Sequence, residues 1–270
     1  MHINISKRFS EFFEAIDIWA APRKINFLVL HHVAADSINH AIQQFTEHQV
    51  SSHYVIDESG EIFLLVEEDH IAYHAGVSYW KGSEALNKNS IGIEFINSSP
   101  FEKSFNKVQL KSGLALCQQL VKKYKIDQSN IVGHSDIAYQ RSTNLLDRKQ
   151  DPSHLFDWKF FADNDIGLYP KEAIDKDRQL FFYQNRDKKI SEIKEKLAKF
   201  GYKVNDFGDE FNDEMVMLSR VFHRRFNQKL FNKNDLNNKC NKEVEIGVNE
   251  FDVWHQSSSI LLDELLSLVR

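Results

Sequence analysis

The sequence predicts a mixed α/β fold, in which a central mixed β-sheet is flanked by helices and a small three-helix domain follows at the C-terminus. Two observations predict this class. Strand-like runs come first, mixed with a hairpin and then joined by helical segments, which is the order expected of one sheet covered by helices. Beyond residue 180, three segments carry apolar stripes at helical spacing, and short helices of this kind can close a core only by packing together.

The first predicted strand occupies residues 25–33. Its sequence, INFLVLHHV, is β-branched and aromatic, long enough for a buried strand and too short for a helix. We therefore place it at the centre of the sheet. A helix is predicted over residues 36–49, because apolar side chains recur there at helical spacing and either Asp36 or Ser37 can serve as the N-cap.

A hairpin is predicted over residues 51–66, where two strand-like runs flank an Asp-Glu-Ser-Gly turn and Gly60 is available for a positive φ. Residues 89–97 form the next strand. A long helix with one apolar face spans about residues 107–124, and residues 130–134 supply a short strand after it.

The character of the chain changes after the last of these elements. Residues 161–179 carry turn formers and alternating charge without an apolar period, which indicates a linker. Helices are predicted over residues 188–202, with Gly201 as the C-cap, and over residues 213–228. A last helix over residues 257–270 begins with serines that can cap it.

Composition excludes several classes of partner. The chain has 270 residues, 42% hydrophobic and 27% charged, with a formal net charge of -5. It has room for one large domain, or one domain plus a small one, and it lacks the basic surface that neutralises nucleic-acid phosphates. There is no run of about 18 apolar residues that would indicate a membrane span, and charges interrupt the N-terminus before any apolar run reaches signal length. Cys117 and Cys240 are too far apart in sequence to suggest a metal pair, so we expect two buried or unreactive thiols.

Residues 132–154 combine side chains that can bind and assist a metal ion. They include His134, Lys149 and Asp151. Histidine and aspartate are good ligands for zinc, and a catalytic zinc site uses three protein ligands and leaves one position for water. A third ligand must come from elsewhere, and the predicted central strand ends in His31 and His32, whose side chains point to opposite faces. Only one of them can join the cluster, and spacing alone also allows structural histidines and a simple Asp-Pro turn.

Six short motifs follow one another within residues 25–160. They read FLVLHHVAAD, SSHYVID, AYHAGVSYW, NSIGIEFIN, VGHSDIA and RKQDP. In this order they resemble the type-2 (AmpD/AmiD-like) zinc-dependent N-acetylmuramoyl-L-alanine amidases, which are related to peptidoglycan recognition proteins. Six ordered motifs are far more specific than any one of them. The resemblance implies the amidase fold and one zinc ion per chain, bound by His31, His134 and Asp151, so that His32 faces away.

The reaction that this resemblance implies is hydrolysis of the amide between N-acetylmuramic acid, or its 1,6-anhydro form, and the L-alanine of the stem peptide. Amides resist water because their carbonyl is a poor electrophile, and zinc can both activate water and polarise the carbonyl. Glu94, in IGIEF, would be the catalytic carboxylate that moves a proton to the leaving amine. Lys149 would place a positive charge near the developing oxyanion.

The resemblance also suggests residues that contact substrate. His74 and Tyr54 match positions that border the cleft in relatives, and Asn89 precedes the strand that carries the catalytic carboxylate. Structural roles remain open for Tyr54 and Asn89. His53 is expected to be a core histidine held by hydrogen bonds, since a sheet offers many carbonyl partners.

This chain departs from the family pattern H-x-D-x-A-P-x-R-K-x-D-P-G at three points. Tyr139 replaces the proline, Ser153 replaces the glycine, and residues 142–148 are inserted. The metal can still close the longer loop, because extra loop length costs little entropy. The insertion leaves open whether Arg141 or Arg148 is the family arginine, and either could contact the peptide carboxylates of the substrate.

The C-terminal segment resembles, more weakly, a three-helix peptidoglycan-binding domain, on the basis of IKEKLAKFGYKV followed by LSRVFHRRFNQ. A structural or oligomerising appendage is the alternative. The predicted organisation is thus an N-terminal arm (residues 1–24), a zinc amidase domain (25–160), a linker (161–179) and a helical peptidoglycan-binding-like domain (180–270).

Three functions are compatible with these sequence features. The first is an amidase acting on peptidoglycan or muropeptide fragments, the second a recognition protein that binds them without cleavage, and the third a metal-free interaction protein. The complete ligand set with Glu94 favours the first, since a pure binder needs none of these residues. Lack of a signal peptide indicates the cytoplasm and recycling of wall fragments, whereas a wall-binding domain indicates the periplasm or the wall.

Overall fold

The computed structural model describes residues 3–15, 22–139, 148–171, 177–231 and 250–269. Cys240 and the inserted residues up to 147 lie outside this part of the chain.

The chain is divided into two compact units, each built from separate segments. The first unit consists of Met1–Ser78, Glu84–His134 and Asp151–Gly167. The second consists of Tyr79–Ser83, Ser135–Gln150 and Leu168–Arg270. The domain boundaries derived from the sequence stay predictions, but two short segments inside residues 25–160 belong to the helical unit.

The strands and helices are numbered along the chain. The strands are β1 (Ile5–Lys7), β2 (Phe13–Glu14), β3 (Phe27–Val33), β4 (Tyr54–Ile56), β5 (Ile62–Leu64), β6 (Ile71–Ala72), β7 (Tyr79–Trp80), β8 (Ser83–Glu84), β9 (Ser90–Ile96), β10 (Ile131–Gly133), β11 (Gln179–Phe181) and β12 (Trp254–His255). The α-helices are α1 (Ile38–His48), α2 (Lys107–Tyr124), α3 (His134–Ile137), α4 (Trp158–Ala162), α5 (Lys188–Phe200), α6 (Asp213–Phe226) and α7 (Gln256–Leu268).

A six-stranded mixed sheet forms the first unit, in the order β1-β5-β4-β9-β3-β10. β3 pairs in parallel with β9 and β10, β4 pairs in parallel with β9, and β4 and β5 form an antiparallel pair. Every residue of β3 except His32 is buried, as an apolar run covered on both faces requires. The predicted mixed α/β class is confirmed, and the predicted central strand lies one strand in from the sheet edge.

The helices and the hairpin of this unit follow from local sequence signals. Ser37, one of the two predicted N-caps, accepts a hydrogen bond from the backbone N–H of His40 and starts α1. Gly60 has φ +87 at the turn between β4 and β5, as predicted. Gln109 on α2 is buried and donates to the carbonyls of Ile56 and Ile96, so α2 is tied to the sheet by polar as well as apolar contacts.

The second unit contains the three predicted helices, here α5, α6 and α7, together with the antiparallel pair of β11 and β12. Gly201 ends α5, as predicted. Trp80 is buried against Phe200 and Tyr202, with ring centroids 5.8 and 5.0 Å apart. A tryptophan distant in sequence therefore supplies part of the core of this helical unit.

A buried ion pair links the helices to the segment that follows His134. Arg225 Nη1 donates to Asp136 Oδ2 at 2.5 Å, and the hydroxyl of Tyr202 donates to Asp136 Oδ1 at 3.2 Å. All three side chains are buried. Removing one partner of a buried pair costs several kcal/mol, about 3–5, because an uncompensated charge remains.

The start of the last helix differs from the expectation of a serine cap. α7 begins at Gln256, and its N-cap, His255, makes no side-chain capping bond. The serines are engaged elsewhere: Ser257 Oγ donates to Asp177, and Ser258 Oγ lies 2.7 Å from His223 Nε2. Tertiary partners therefore take the hydroxyls that the sequence pattern assigned to capping.

Part of the predicted linker, residues 161–179, contributes buried side chains to the first unit. Phe161, at the end of α4, and Ile166 are buried in the first unit. Turn-forming residues surround them in sequence, so the absence of an apolar period concealed two core positions.

Candidate metal centre

Two histidines meet at the carboxyl ends of neighbouring parallel strands. The register of β3 and β10 places Gly133 beside Leu30. His31 follows Leu30 in sequence and His134 follows Gly133, and both histidines are buried. Their Nδ1 atoms lie 3.0 Å apart. The strand pairing thus brings together two nitrogen donors that are 103 residues apart in sequence.

Asp151 completes the cluster. Its Oδ2 atom lies 2.9 Å from His31 Nδ1 and 3.0 Å from His134 Nδ1. One donor atom from each of the three residues lies within 4.8 Å of the other two. Burial alone would raise the pKa of Asp151, but His134 and His31 outweigh it and hold that pKa well below its ordinary value. The carboxylate is therefore ionised near neutral pH, as a metal ligand must be.

The donor set of this cluster fits a zinc ion. Two imidazole nitrogens and one carboxylate oxygen form a ligand set that zinc accepts, and three protein ligands leave a position open for water or substrate. Magnesium and calcium prefer oxygen ligands throughout, so two nitrogens disfavour them. The three residues predicted as ligands are thus brought together in an arrangement that could hold zinc.

Glu94 lies beside the cluster and outside it. It pairs with His31 in the register of β3 and β9, so both side chains share one face of the sheet. Glu94 Oε1 is 3.9 Å from His31 Nδ1, compared with 2.9 Å for Asp151 Oδ2. Its side chain is 11% exposed. A carboxylate near the donor atoms, but farther from them than the third ligand, suits proton transfer better than coordination.

His74 lies behind His31. Its Nδ1 atom is 3.0 Å from His31 Nε2, on the opposite side of that ring from the cluster. Its Nε2 atom is 3.1 Å from the hydroxyl of Ser90. Burial and the neighbouring His31 lower the pKa of His74 well below its ordinary value. His74 thus contacts a candidate metal ligand, and its predicted contact with substrate stays a prediction.

Three residues around His74 were missed from the sequence. Asn87 Oδ1 accepts hydrogen bonds from the backbone N–H groups of His74 and Ala75, at 3.1 and 2.7 Å. The hydroxyl of Ser90 forms a hydrogen bond with His74 Nε2. Gly92 has no side chain, and a Cβ there would come within 2.5 Å of the His74 ring. A serine and a glycine in a buried strand are the only signal the sequence offered for this arrangement, because the contacts are all tertiary.

Tyr54 and Asn89 are not brought to the cluster. Val55 pairs with Glu94, so Tyr54 points to the opposite face of the sheet, where its hydroxyl donates to Glu68 at 2.5 Å. Asn89 ends a 3₁₀ turn at the amino end of β9. Glu94 is five positions farther along the chain, which is about 16 Å at the usual rise per strand residue. Contacts of Tyr54 and Asn89 with substrate stay predictions, as do the structural roles that the sequence left open for them.

The remaining predicted residues lie on the loop between His134 and Asp151. Arg141 is outside the described residues. Arg148 and Lys149 are half-buried and belong to the second unit. The backbone N–H of Arg148 donates to the carbonyl of Tyr139 at 3.2 Å. Their predicted contacts with substrate stay predictions.

Two other histidines have the structural places predicted for them. His32 faces away from the cluster, and its Nδ1 accepts a hydrogen bond from the backbone N–H of Ser153 at 3.2 Å. His53 is buried, and its Nδ1 accepts from the backbone N–H of Gly92 at 3.0 Å. Burial, with a contribution from Arg23, lowers the pKa of His53 to about 3, so the ring is neutral at any physiological pH.

Comparison with known proteins identifies similar chains. The family described as N-acetylmuramoyl-L-alanine amidase matches residues 21–154. AmiD from Escherichia coli, an N-acetylmuramoyl-L-alanine amidase, is 32% identical over 232 residues, which cover 79% of each chain. The 1,6-anhydro-N-acetylmuramyl-L-alanine amidase AmpD from the same organism is 37% identical over 113 residues, covering 42% of this chain and 57% of AmpD.

A solved structure matches nearly the whole chain. It is that of E. coli AmiD in complex with the substrate anhydro-N-acetylmuramic acid-L-Ala-D-γ-Glu-L-Lys, with a TM-score of 0.69 and 25% identity. The match covers 96% of this chain and 99% of AmiD. Within the described residues, no helix is long and apolar enough to cross a membrane.

Proposed function

Because this chain belongs to the N-acetylmuramoyl-L-alanine amidase family, we propose that it hydrolyses the amide between N-acetylmuramic acid, or its 1,6-anhydro form, and the L-alanine of the stem peptide. One observation carries the proposal. His31, His134 and Asp151 present their donor atoms within 4.8 Å of one another, directly beside Glu94. A protein that only binds muropeptide needs neither a ligand set nor an adjacent carboxylate.

Zinc is the metal we propose for the cluster, with His31, His134 and Asp151 as its ligands. When bound, it supplies a Lewis acid for the amide carbonyl and activates water. The protein's part is to hold three donors in place and to leave one position open. The negative charge of Asp151 offsets part of the positive charge of the ion in this buried site.

Glu94 is proposed to move the proton. It takes a proton from the attacking water and delivers it to the nitrogen of L-alanine as the C–N bond breaks, so that the products are the lactyl carboxylate and a free amino group. The strand position of Glu94 suits this role, since β9 holds the side chain on the same face as His31. Its low exposure keeps bulk water from competing for the proton.

The substrate is proposed to be a muropeptide of the anhydro class, by analogy with the substrate bound in the AmiD structure. The test is to incubate the protein separately with a soluble anhydromuropeptide and with intact sacculi, and to weigh the products by mass spectrometry. Two fragments whose masses sum to substrate plus water are expected from the soluble substrate. Retention of the intact substrate on the protein, without new masses, would establish the non-catalytic recognition protein instead.

Lys149 is proposed to stabilise the oxyanion that develops on the carbonyl. It precedes the ligand Asp151 by two residues, which span at most about 7 Å. Lys149→Ala is expected to lower kcat by about 10²-fold with little change in zinc content, since loss of one oxyanion donor has effects of this order. The matched control is Lys159→Ala, which removes an exposed lysine paired with Asp163. Equal activity of the two variants would assign Lys149 to the solvated surface.

The helical unit is proposed to bind peptidoglycan and so to raise the local concentration of the enzyme at the polymer. Its support is the weak resemblance of α5 and α6 to a peptidoglycan-binding domain. Deleting residues 180–270 is expected to reduce co-sedimentation with sacculi, while hydrolysis of a soluble muropeptide changes little. The deletion also uncovers Trp80 and leaves Asp136 without Arg225, so circular dichroism must show that the shortened chain is folded. Unchanged co-sedimentation of the folded deletion would refute wall binding.

A further inference from the structure

A chain of hydrogen bonds extends from His31 away from the candidate metal centre. His31 Nε2 lies 3.0 Å from His74 Nδ1, His74 Nε2 lies 3.1 Å from Ser90 Oγ, and Ser90 Oγ lies 2.6 Å from the carbonyl oxygen of Leu86. We propose that His74 and Ser90 are positioning residues, which hold the His31 ring in the one tautomer and orientation that direct a lone pair at the metal. This inference rests on the proposed function, since it takes the metal centre as given.

The donor and the acceptor of each hydrogen bond in this series follow from its last acceptor, the Leu86 carbonyl. The carbonyl oxygen of Leu86 can only accept, so the hydroxyl of Ser90 donates to it. Ser90 Oγ then accepts from His74, which places the single ring proton of neutral His74 on Nε2. His74 Nδ1 is therefore an acceptor, and His31 must donate to it from Nε2.

The consequence for His31 is that its other nitrogen carries no proton. A neutral imidazole has one N–H, and the chain places it on Nε2, so His31 Nδ1 keeps its lone pair. That atom is the one 2.9 Å from Asp151 Oδ2 and 3.0 Å from His134 Nδ1. A backbone carbonyl three hydrogen bonds away thus favours the His31 tautomer whose Nδ1 can bind a metal, and the hydrogen bond also raises the basicity of the ring.

The surroundings of His74 are shaped to hold it there. Gly92 on β9 has no side chain, and a Cβ at that position would lie 2.5 Å from the His74 ring. The amide oxygen of Asn87 accepts hydrogen bonds from the backbone N–H groups of His74 and Ala75. His74 and Ser90 are both buried, so water does not compete for their hydrogen bonds. A residue that served only to line a substrate cleft would need none of these restraints.

The first test measures zinc affinity in the full-length protein by competition with a chromophoric chelator. His74→Leu keeps an apolar filling but removes the acceptor, and it is expected to weaken zinc binding by about 10–100-fold, the range typical of lost outer-shell partners. His74→Asn restores an acceptor oxygen near the place of Nδ1 and is expected to recover most of that loss. Ser90→Ala is expected to cost about tenfold, because His74 can then adopt either tautomer.

A matched control separates this effect from simple destabilisation. Cys117→Ala removes a buried group on α2, in the same unit as His74 and Ser90 but not a member of their chain of hydrogen bonds. It is expected to lower the free energy of unfolding while leaving zinc affinity unchanged. If Cys117→Ala weakened zinc binding as much as His74→Leu, the positioning role would be wrong.

A second readout looks at the protons directly. Long-range ¹H–¹⁵N spectra of the zinc-loaded wild type are expected to show both His31 and His74 protonated at Nε2 alone, and Ser90→Ala is expected to remove the single tautomer of His74. An Nδ1–H form of His74 in the wild type would overturn the inference. So would wild-type zinc affinity in folded His74→Leu, and in that case the proposed amidase function would be untouched. A wild type that binds no zinc would overturn both.

Discussion

Removal of the metal is expected to abolish hydrolysis of muropeptides, and addition of about one equivalent of zinc per chain is expected to restore it. The physical reason is that His31 and His134 offer basic nitrogens and Asp151 a carboxylate, so none of the three side chains can itself polarise a carbonyl. The measurement combines metal analysis of the purified protein with rates before and after dialysis against a chelator. Full activity in verified metal-free protein would falsify the metal mechanism.

Zinc binding is also expected to depend on the proposed ligand Asp151. Asp151→Ala is expected to weaken zinc binding by more than the 10–100-fold typical of outer-shell partners, because it removes a direct ligand and the only negative charge among the three donors. Asp163→Ala, at an exposed aspartate of the same unit, is the matched control and should retain both zinc and activity. A variant Asp151→Ala that kept wild-type zinc affinity would remove Asp151 from the ligand set.

Replacement of the proposed proton carrier should separate chemistry from metal binding. Glu94→Gln preserves the size and the position of the side chain on β9 but cannot accept a proton, so kcat is expected to fall by about 10²–10⁴-fold. Zinc content and the free energy of unfolding are expected to stay near wild-type values, since Glu94 Oε1 lies 3.9 Å from His31 Nδ1 and outside the donor cluster.

The matched control for this experiment is Glu47→Gln, an exposed residue on α1 that leaves the sheet untouched. Rates with saturating soluble muropeptide, together with metal analysis of both variants, give the comparison. If Glu94→Gln turned over substrate within a few-fold of Glu47→Gln, another group would have to carry the proton. Loss of zinc from Glu94→Gln would instead make Glu94 a ligand.

The pair His31 and His32 shows how far sequence reasoning extends in this protein. Alternation along a strand already requires that only one of the two faces any given side of the sheet. Spacing cannot say which one, because the face is set by the neighbouring strands. The register of β3 with β9 and β10 decides it, placing Glu94 beside His31 and His134 one position beyond the pair of Leu30 and Gly133.

His74 and Tyr54 show where reasoning from a motif stops. Both belong to short motifs that pointed to the site, yet His74 contacts His31 from behind and Tyr54 lies on the opposite face of the sheet. A motif indicates that a residue type matters at a position, but the direction of its side chain depends on strand parity and on which loop packs against it. The sequence did not indicate Asn87 and Ser90 for the same reason. Their partners, the backbone of residues 74–75 and the His74 ring, are distant from them in sequence.

By itself, the sequence determined the class of fold, the order of its longer strands and helices and the kinds of donor atom available to a metal. These depend on local apolar period, capping and residue chemistry, which act over a few neighbouring residues. Only the tertiary structure decided that Asp151 reaches His134, that Trp80 joins the core of the helical unit, and that Ser90 supports His31 through His74. Each of these depends on sheet register and long-range packing, where the partners are separated by many residues and no local pattern records which of them will meet.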